Sequence, residues 1–275
     1  MITRQEFANI DKEIKEAIQT TLDSLKTTNS PNYFVFLADG EYFHIFENTV
    51  QNLNPFVIDN RMDRFKDETR LTFLSNFLTT FYSFPNDQEA TDDNEQRIHM
   101  ELMIYSHIWE SKPFLKKLHR LAHISNGEEY NWKISVPDMG KHDFIRNDIR
   151  KTFEDIGNPI GQIIKNGFHT SLRNAFAHSD YSFDTMNNNK RIWLDNYNGE
   201  NWELQDIIFD NWSKHFVYSA LLSYHLLRVT HTYRTNLITD FGTNKLAIRH
   251  PSKSGQTIDV NIIYRQEHDS FSFEN

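Results

Sequence analysis

The stretch "SLRNAFAHSDYSF", residues 171–183, sets Arg173, Asn174 and His178 among alanines and phenylalanines that suit the buried face of a helix. Polar side chains on such a face are hydrogen bonded, paired or used in chemistry. Asn174 and His178 are four residues apart and share one helix face. Arg173 lies five residues before His178, about 140° around the axis, and its long side chain or a helix end after His178 can close that gap. The segment therefore predicts a cation, an amide and an imidazole in one small volume.

These three groups suit the cleavage of RNA. An imidazole titrates near neutral pH and can take a proton from a 2′-hydroxyl or give one to a leaving 5′-oxygen. A guanidinium donates several hydrogen bonds to a phosphate that gains negative charge in the transition state. The nucleophile comes from the substrate, so no serine, cysteine or metal is needed. The residue types alone also fit a capped helix end in which His178 bonds a backbone carbonyl.

Composition and charge narrow the function classes. The chain has 275 residues, of which 38% are hydrophobic and 24% charged, which suits one large or two small globular domains. Its formal charge of −9 excludes an overall basic field that would coat nucleic acid, so any contact with RNA must be local. The absence of cysteine excludes a disulfide scaffold, thiolate zinc sites and cysteine nucleophiles.

The protein is expected to be located in the cytoplasm, without membrane association. Residues 1–20 have the charge pattern of an amphipathic helix and lack the apolar core of a signal peptide. No apolar run approaches the roughly 18 to 20 residues that a membrane-spanning helix needs.

The spacing of apolar residues predicts a mainly α fold. Apolar side chains three and four positions apart predict helices. The helix expected over 95–125 contains Pro113, which should kink or split it. These helices are expected over 5–27, 61–84, 95–125, 141–155, from about 160 into the opening segment, and 204–235.

Short β-rich runs beside turn residues predict hairpins, so the fold is α+β overall. The hairpins are expected at 32–46, at 181–197 around an Asn-rich turn, and at "KLAIRH" with "TIDVNIIYR". The acidic stretch 85–94 is predicted to be an exposed linker. The expected organisation is a helical region with a hairpin at 1–90, a helical bundle at 91–240, and a hairpin with a tail at 241–275.

The motif in residues 173–178 resembles that of a known protein family. "RNAFAH" matches the R-N-x-x-x-H motif of HEPN domains, and "NGFHTSLRNAFAHSDYSF" and "IWESKPFLKKLHRLAHISNGEEYNW" resemble a bacterial HEPN-like group over roughly residues 95–235. HEPN domains are helical bundles, and many are RNases in toxin, phage-defence and RNA-processing systems. The resemblance therefore implies a HEPN-like antiparallel bundle with β-hairpin additions.

The same resemblance implies a function. Arg173 and His178 would be catalytic, Asn174 would assist them, and two protomers would pack so that their motifs form one composite cleft. Such enzymes need no metal or other cofactor and leave a 2′,3′-cyclic phosphate and a 5′-hydroxyl. The expected role is a toxin or phage-defence effector, with RNA as substrate and an antitoxin or defence protein as partner. The alternative is an inactive HEPN-like module that dimerises and binds a nucleotide or a protein.

Glu110, Asp180 and Tyr181 are candidate supporting residues. Glu110, in "WES", could orient an arginine across the bundle, with a surface or capping role as the alternative. In HEPN proteins regulated by adenylylation, the modified tyrosine stands two residues after the histidine. Here Asp180 fills that place and Tyr181 follows, which departs from the pattern.

A basic run near the motif is a candidate RNA contact. "KHDFIRNDIRK" concentrates four cations, and Arg146 and Arg150 would share a face on a regular helix. Such a run is also typical of a solvated helix face. The candidate RNA-binding residues are Lys141, Arg146, Arg150 and Lys151.

Two histidine patterns resemble metal motifs without completing one. His119 and His123 have the i, i+4 spacing of a two-histidine site, but the HExxH glutamate is missing and no third ligand can be identified. They are expected to be partly exposed or to line the cleft. His142-Asp143 resembles the pair of HD phosphohydrolases, whose other ligand motifs are missing. No metal site is predicted.

Overall fold

The computed structural model describes residues 1–44, 46, 53–85, 88–186, 190–195, 204–252, 254 and 256–274. Within them, no helix combines the length and the apolar composition that crossing a membrane requires. The helices are α1 (Arg4–Thr28), α2 (Ser30–Leu37), α3 (Arg61–Phe81), α4 (Glu95–Glu110), α5 (Lys112–Ser125), α6 (Lys141–Asp143, Phe144–Arg150 and Lys151–Asp155), α7 (Pro159–Gly167), α8 (Thr170–His178), α9 (Phe209–Thr235) and α10 (Leu237–Phe241).

The strands form small antiparallel sheets. β1 pairs with β2, β4 lies between β3 and β5, and β7 lies between β6 and β8. Side chains of β6 alternate between buried and exposed, as in a sheet with one face on the core. The bounds are β1 (Glu41–Tyr42), β2 (Phe56–Val57), β3 (Tyr181–Asp184), β4 (Arg191–Leu194), β5 (Asp206–Ile208), β6 (Lys245–Pro251), β7 (Thr257–Arg265) and β8 (Ser270–Phe273).

Helix α9 is the centre of the core. Helices α1, α3, α4 and α7 pack against it, and its Trp212 and Phe216 are fully buried. The buried apolar side chains form one continuous cluster that extends from Ile2 to Phe271. The three regions expected from the sequence therefore share one core.

The mainly α character with small antiparallel sheets is confirmed, as are several helix ends. The predicted helix 95–125 is split into α4 and α5 at Ser111, whose hydroxyl accepts a hydrogen bond from the Phe114 amide at 3.4 Å. Pro113 lies in the first turn of α5, where its missing amide hydrogen costs nothing. The chain leaves α5 at Asn126, followed by Gly127 with a φ of 82°.

The hairpin predicted at 32–46 is wrong in its first half. Residues Ser30–Leu37 form α2, with Pro31 in its first turn and six consecutive buried residues after it. A short apolar run that is buried on every side carries no period, so sequence alone does not separate a helix from a strand. The turn at Asp39-Gly40 is present, and a Cβ on Gly40 would lie 2.7 Å from Val35 Cγ1. β1 then pairs with β2 rather than with the preceding residues.

The predicted linker 85–94 is mostly exposed, as expected, but it is not a free connection. Residues 86–87 lie outside the described residues, but the rest runs beside the N-terminus. The Arg4 amide donates to the Glu89 carbonyl at 2.8 Å, and the Thr91 amide to the Ile2 carbonyl at 3.0 Å. Thr91 is buried, because these backbone bonds hold the segment against the core.

Three further boundaries differ from the prediction. The helix expected from about 160 into the motif is interrupted at Phe168 and His169, because the Phe168 side chain turns into the core against Trp109. The last long helix begins at Phe209 rather than at 204, since β5 precedes it, and β8 was not predicted. β3 and β4 confirm the hairpin at 181–197, although its Asn-rich turn at 187–189 and its end at 196–197 lie outside the described residues.

A buried arginine joins the C-terminal sheet to the rest of the fold. Arg234, near the end of α9, has a side chain only 3% exposed. Its Nε donates to Asp269 Oδ1 at 2.6 Å, its Nη2 to Asp59 Oδ1 at 2.8 Å, and its Nη1 to the Leu37 carbonyl at 3.0 Å. These partners come from the residue before β8, the chain after β2 and the end of α2.

Candidate functional site

Helix α8 carries the motif and is capped at both ends. At its start, His169 Nδ1 accepts a hydrogen bond from the Ser171 amide at 3.2 Å. At its end, Ser179 takes a left-handed conformation with a φ of 60°, and the Asp180 amide donates to the Ala175 carbonyl at 2.8 Å. This arrangement satisfies carbonyls that a helix end leaves open. The helix therefore ends directly after His178.

The apolar residues of the motif hold α8 against the core, and its polar residues lie at the rim. Leu172, Ala175 and Phe176 are buried, and the Phe176 ring meets the Trp212 ring edge-on at 4.9 Å. Arg173 and Asn174 are half-buried, whereas His178 is exposed. The polar groups of the motif are thus within reach of solvent rather than sealed in the core.

Arg173 is held by two neighbours. Its Nη1 donates to Asn174 Oδ1 at 2.9 Å. Its Nη2 forms an ion pair with Glu110 Oε1, at the last residue of α4. The other carboxylate oxygen of Glu110 pairs with Lys141 Nζ at 2.8 Å, at the first residue of α6. We call Arg173, Asn174, Glu110 and Lys141 the arginine cluster.

The arginine cluster has an excess of positive charge. It contains two cations and one carboxylate, and the side chains of Arg173 and Lys141 are 16% and 8% exposed. Partial burial weakens screening by solvent, so the surplus charge attracts an anion more strongly than it would on an open surface. The carboxylate fixes the guanidinium in one orientation, which lowers the entropy cost of presenting it to a phosphate.

His178 stands one turn beyond the arginine cluster. It lies four residues after Asn174 on a continuous helix, so both belong to the same face of α8. The structure therefore joins Arg173 and Asn174 by direct contact and exposes His178 at the adjacent helix end. No sequence pattern indicated that Lys141 would share Glu110, because the two are far apart in the chain and Lys141 lies in a basic run.

Asp180 and Tyr181 tie the end of α8 to neighbouring elements. The Asp180 carbonyl accepts a hydrogen bond from the Asp195 amide at 2.9 Å, directly after β4. The Tyr181 hydroxyl lies 3.3 Å from His99 Nδ1 on α4, and burial raises the pKa of this phenol. In this structure both residues position the helix end.

The basic run on α6 divides into separate environments. Lys141 belongs to the arginine cluster, whereas Arg150 pairs with Glu154 at 3.5 Å and Lys151 with Asp155 at 2.8 Å. Residues Phe144–Arg150 are π-helical. The wider π turn changes the four-residue alignment that a regular α-helix would give Arg146 and Arg150.

His119 and His123 stack on each other instead of converging on a point. Their ring centroids are 4.0 Å apart with the planes at 20°. His123 uses both nitrogens, at 2.8 Å from Glu128 Oε2 and 3.1 Å from the Asp148 carbonyl. His119 is buried, which corrects the expectation of partial exposure. Among the described residues, no group of three or more His, Cys, Asp and Glu side chains could hold a metal ion.

Burial of His119 predicts a pH dependence of stability. Burial, followed by the nearby His123, lowers the pKa of His119 from 6.5 to about 3. Below pH 6.5 the unfolded chain therefore binds a proton that the folded chain refuses, so this residue makes the protein less stable as the pH falls from 6.5 toward 3. We expect the His119 ring signals in an NMR titration to stay those of the neutral form down to about pH 4. A midpoint near 6.5 would contradict this.

The His142-Asp143 pair, which resembles part of the HD phosphohydrolase motif, is a contact at the surface. His142 Nε2 lies 3.4 Å from Asp143 Oδ2, and Asp143 is exposed. The two residues are neighbours in the chain and lie at the start of α6, so their proximity is local.

Comparison with protein-family models, with curated proteins and with solved structures finds no match to this chain.

Proposed function

We propose that this protein is a metal-independent endoribonuclease of the HEPN type, acting in the cytoplasm as a homodimeric toxin or phage-defence effector. One observation carries the proposal. The same short helix presents Arg173, fixed by Glu110 and Asn174, and exposes His178 one turn further on. A phosphate-binding cation and a proton-transfer group are thus offered to solvent by one rigid element.

The reaction proceeds by attack of the substrate's own 2′-hydroxyl. His178 takes the proton of this hydroxyl as its oxygen forms a bond to phosphorus. The bond from phosphorus to the 5′-oxygen breaks, and that oxygen takes a proton from a protonated imidazole. The products are a 2′,3′-cyclic phosphate and a 5′-hydroxyl. No atom changes its oxidation state in this step, and no metal or oxidant takes part.

The second imidazole comes from a second copy of the chain. Two α8 helices that face each other supply one histidine as base and one as acid, together with two arginines that donate to the phosphate oxygens. The cations of α6 in each copy steer the RNA backbone locally. Lys141 does so beside Arg173, with which it shares Glu110, and Arg146, Arg150 and Lys151 do so further along α6. Because the chain is acidic overall, binding depends on this local charge and weakens as salt rises.

Metal independence gives a direct test. We expect purified protein to cleave total RNA in the presence of excess EDTA, because the reaction uses imidazoles rather than a metal-bound water. End mapping should find cyclic phosphates on the 5′ fragments and free hydroxyls on the 3′ fragments. Strict dependence on an added divalent ion would contradict the mechanism.

The inactive module is the second candidate, and one observation favours it. Glu110 already pairs with both Arg173 and Lys141, so each cation of the cluster has a partner within the protein. If RNA phosphate fails to displace or join this pairing, the cluster holds the bundle together and does no chemistry. The same experiment separates the two functions, since a binding module leaves RNA intact with or without EDTA.

A further inference from the structure

A cavity of about 520 Å³ lies between α1, α3 and α9, among residues that the proposed nuclease site does not use. Helix α1 lines it with every fourth residue, which places those side chains along one helix face. Volumes of this size are typical of small-molecule sites. The lining side chains from α1 are Phe7, Asp11, Lys15 and Gln19.

The polar wall of the cavity is organised around one carboxylate. Asp11 Oδ1 lies 2.7 Å from His225 Nε2, and the His225 side chain is 4% exposed. The hydrogen bond from His225 lowers the pKa of Asp11, and the nearby Lys15 and Arg228 lower it further. The charged side chains that line the cavity are two permanent cations, Lys15 and Arg228, and one carboxylate, Asp11, so the lining itself has one positive charge in excess.

The other walls are aromatic and hydroxylated. The rings of Phe7 and Tyr82 stack with centroids 5.3 Å apart, and the Tyr224 hydroxyl accepts a hydrogen bond from Arg228 Nη1 at 2.6 Å. Phe7, Tyr82, Tyr224 and Tyr233 all line the cavity, and a planar ring can meet such aromatic side chains offset or edge-on. The hydroxyl side chains that line the cavity are Ser75, Thr79, Ser83 and Thr232.

We infer that this cavity binds a small organic anion with a planar ring, held by Lys15 and Arg228 at its charged end and by the aromatic walls at its ring. A mononucleotide and an aromatic carboxylate share this chemistry. The ligand would contact helices α1 and α3, from the region before residue 91, and α9 of the bundle together. The inference concerns binding at this cavity, and it holds whether or not the protein cleaves RNA.

Calorimetric titration of the full-length protein tests the inference with three probes: 5′-AMP, indole-3-acetate and neutral adenosine. We expect at least one of the two anions to bind with a millimolar or tighter Kd and adenosine to bind more weakly. The anion that binds distinguishes a nucleotide from an aromatic carboxylate as the source. Failure of both anions to bind, or equal affinity for adenosine, would overturn the inference.

Variants locate the site. Lys15→Gln and Arg228→Gln should each weaken the binding anion about tenfold or more, as expected for loss of one charge-assisted contact. Lys12→Gln is the matched control, because this exposed lysine lies on α1 outside the cavity and faces Glu16 at 3.8 Å. Binding that survives unchanged in both cavity variants would place the ligand elsewhere. Because binding is the readout, the result is independent of RNA cleavage.

Discussion

Replacing His178 with alanine is expected to reduce RNA cleavage by at least about 10²- to 10⁴-fold, the range contributed by a single general acid or base. In the proposed dimer, each copy supplies this imidazole to the shared cleft, so the change removes both the base and the acid. The measurement is the initial cleavage rate of a defined RNA with equal amounts of folded protein. Cleavage by the variant at the wild-type rate would refute the assignment of His178.

Because His178 is exposed, its replacement should change RNA cleavage without changing the stability of the fold. The side chain lies at the solvent-facing end of α8, while Leu172 and Phe176 hold the helix to the core. We therefore expect a melting temperature close to that of the wild type. His231→Ala is a matched control, because this histidine is 61% exposed on α9 and takes no part in the proposed chemistry. It should cleave RNA as the wild type does.

Replacing Arg234 with methionine is expected to lower the free energy of unfolding by about 3–5 kcal/mol, the usual cost of removing one partner from a buried ionic network. Methionine fills much of the space but leaves Asp59 and Asp269 without the guanidinium that joins them. For a chain of this length the melting temperature should fall by about 10 °C. Chemical denaturation and thermal melting both report the change.

Arg265→Met is the control for the loss of an arginine as such. Arg265 ends β7 and is exposed, so its replacement should alter stability by less than about 0.5 kcal/mol. Equal melting temperatures for the two variants would show that the Arg234 network contributes nothing beyond packing.

The sequence predicted the long amphipathic helices because their apolar residues repeat with the helical period. α1, α3 and α9 follow this rule, and Pro113 marked the break between α4 and α5. Prediction from apolar spacing failed where a segment is buried on every side, because its apolar residues then show no helical repeat. This is the case for α2. Prediction also failed for β5 and β8. The residues of β5 are predicted to belong to the start of the helix that follows, and β8 lies in the stretch predicted to be a tail.

Only part of the geometry of the candidate site could be predicted from the sequence. Spacing within α8 placed Asn174 and His178 on one face, since that relation depends on local geometry alone. The interruption at Phe168 depends instead on packing against Trp109, which is distant in the chain. The pairing of Glu110 with an arginine across the bundle was one expectation from the sequence, but the sharing of Glu110 with Lys141, which joins three separate helices, was not. Contacts of this kind follow from the tertiary fold and leave no pattern in the nearby residues.

The position of Asp269 has a practical consequence for anyone who trims the chain. A fragment that stops at Phe241 would keep α1 to α10 and would look nearly complete by helix content alone. It would nevertheless strip away a carboxylate that neutralises Arg234, along with the strands that cover α2. The last three strands are therefore part of the folding unit, and a minimal version of this protein has to retain them.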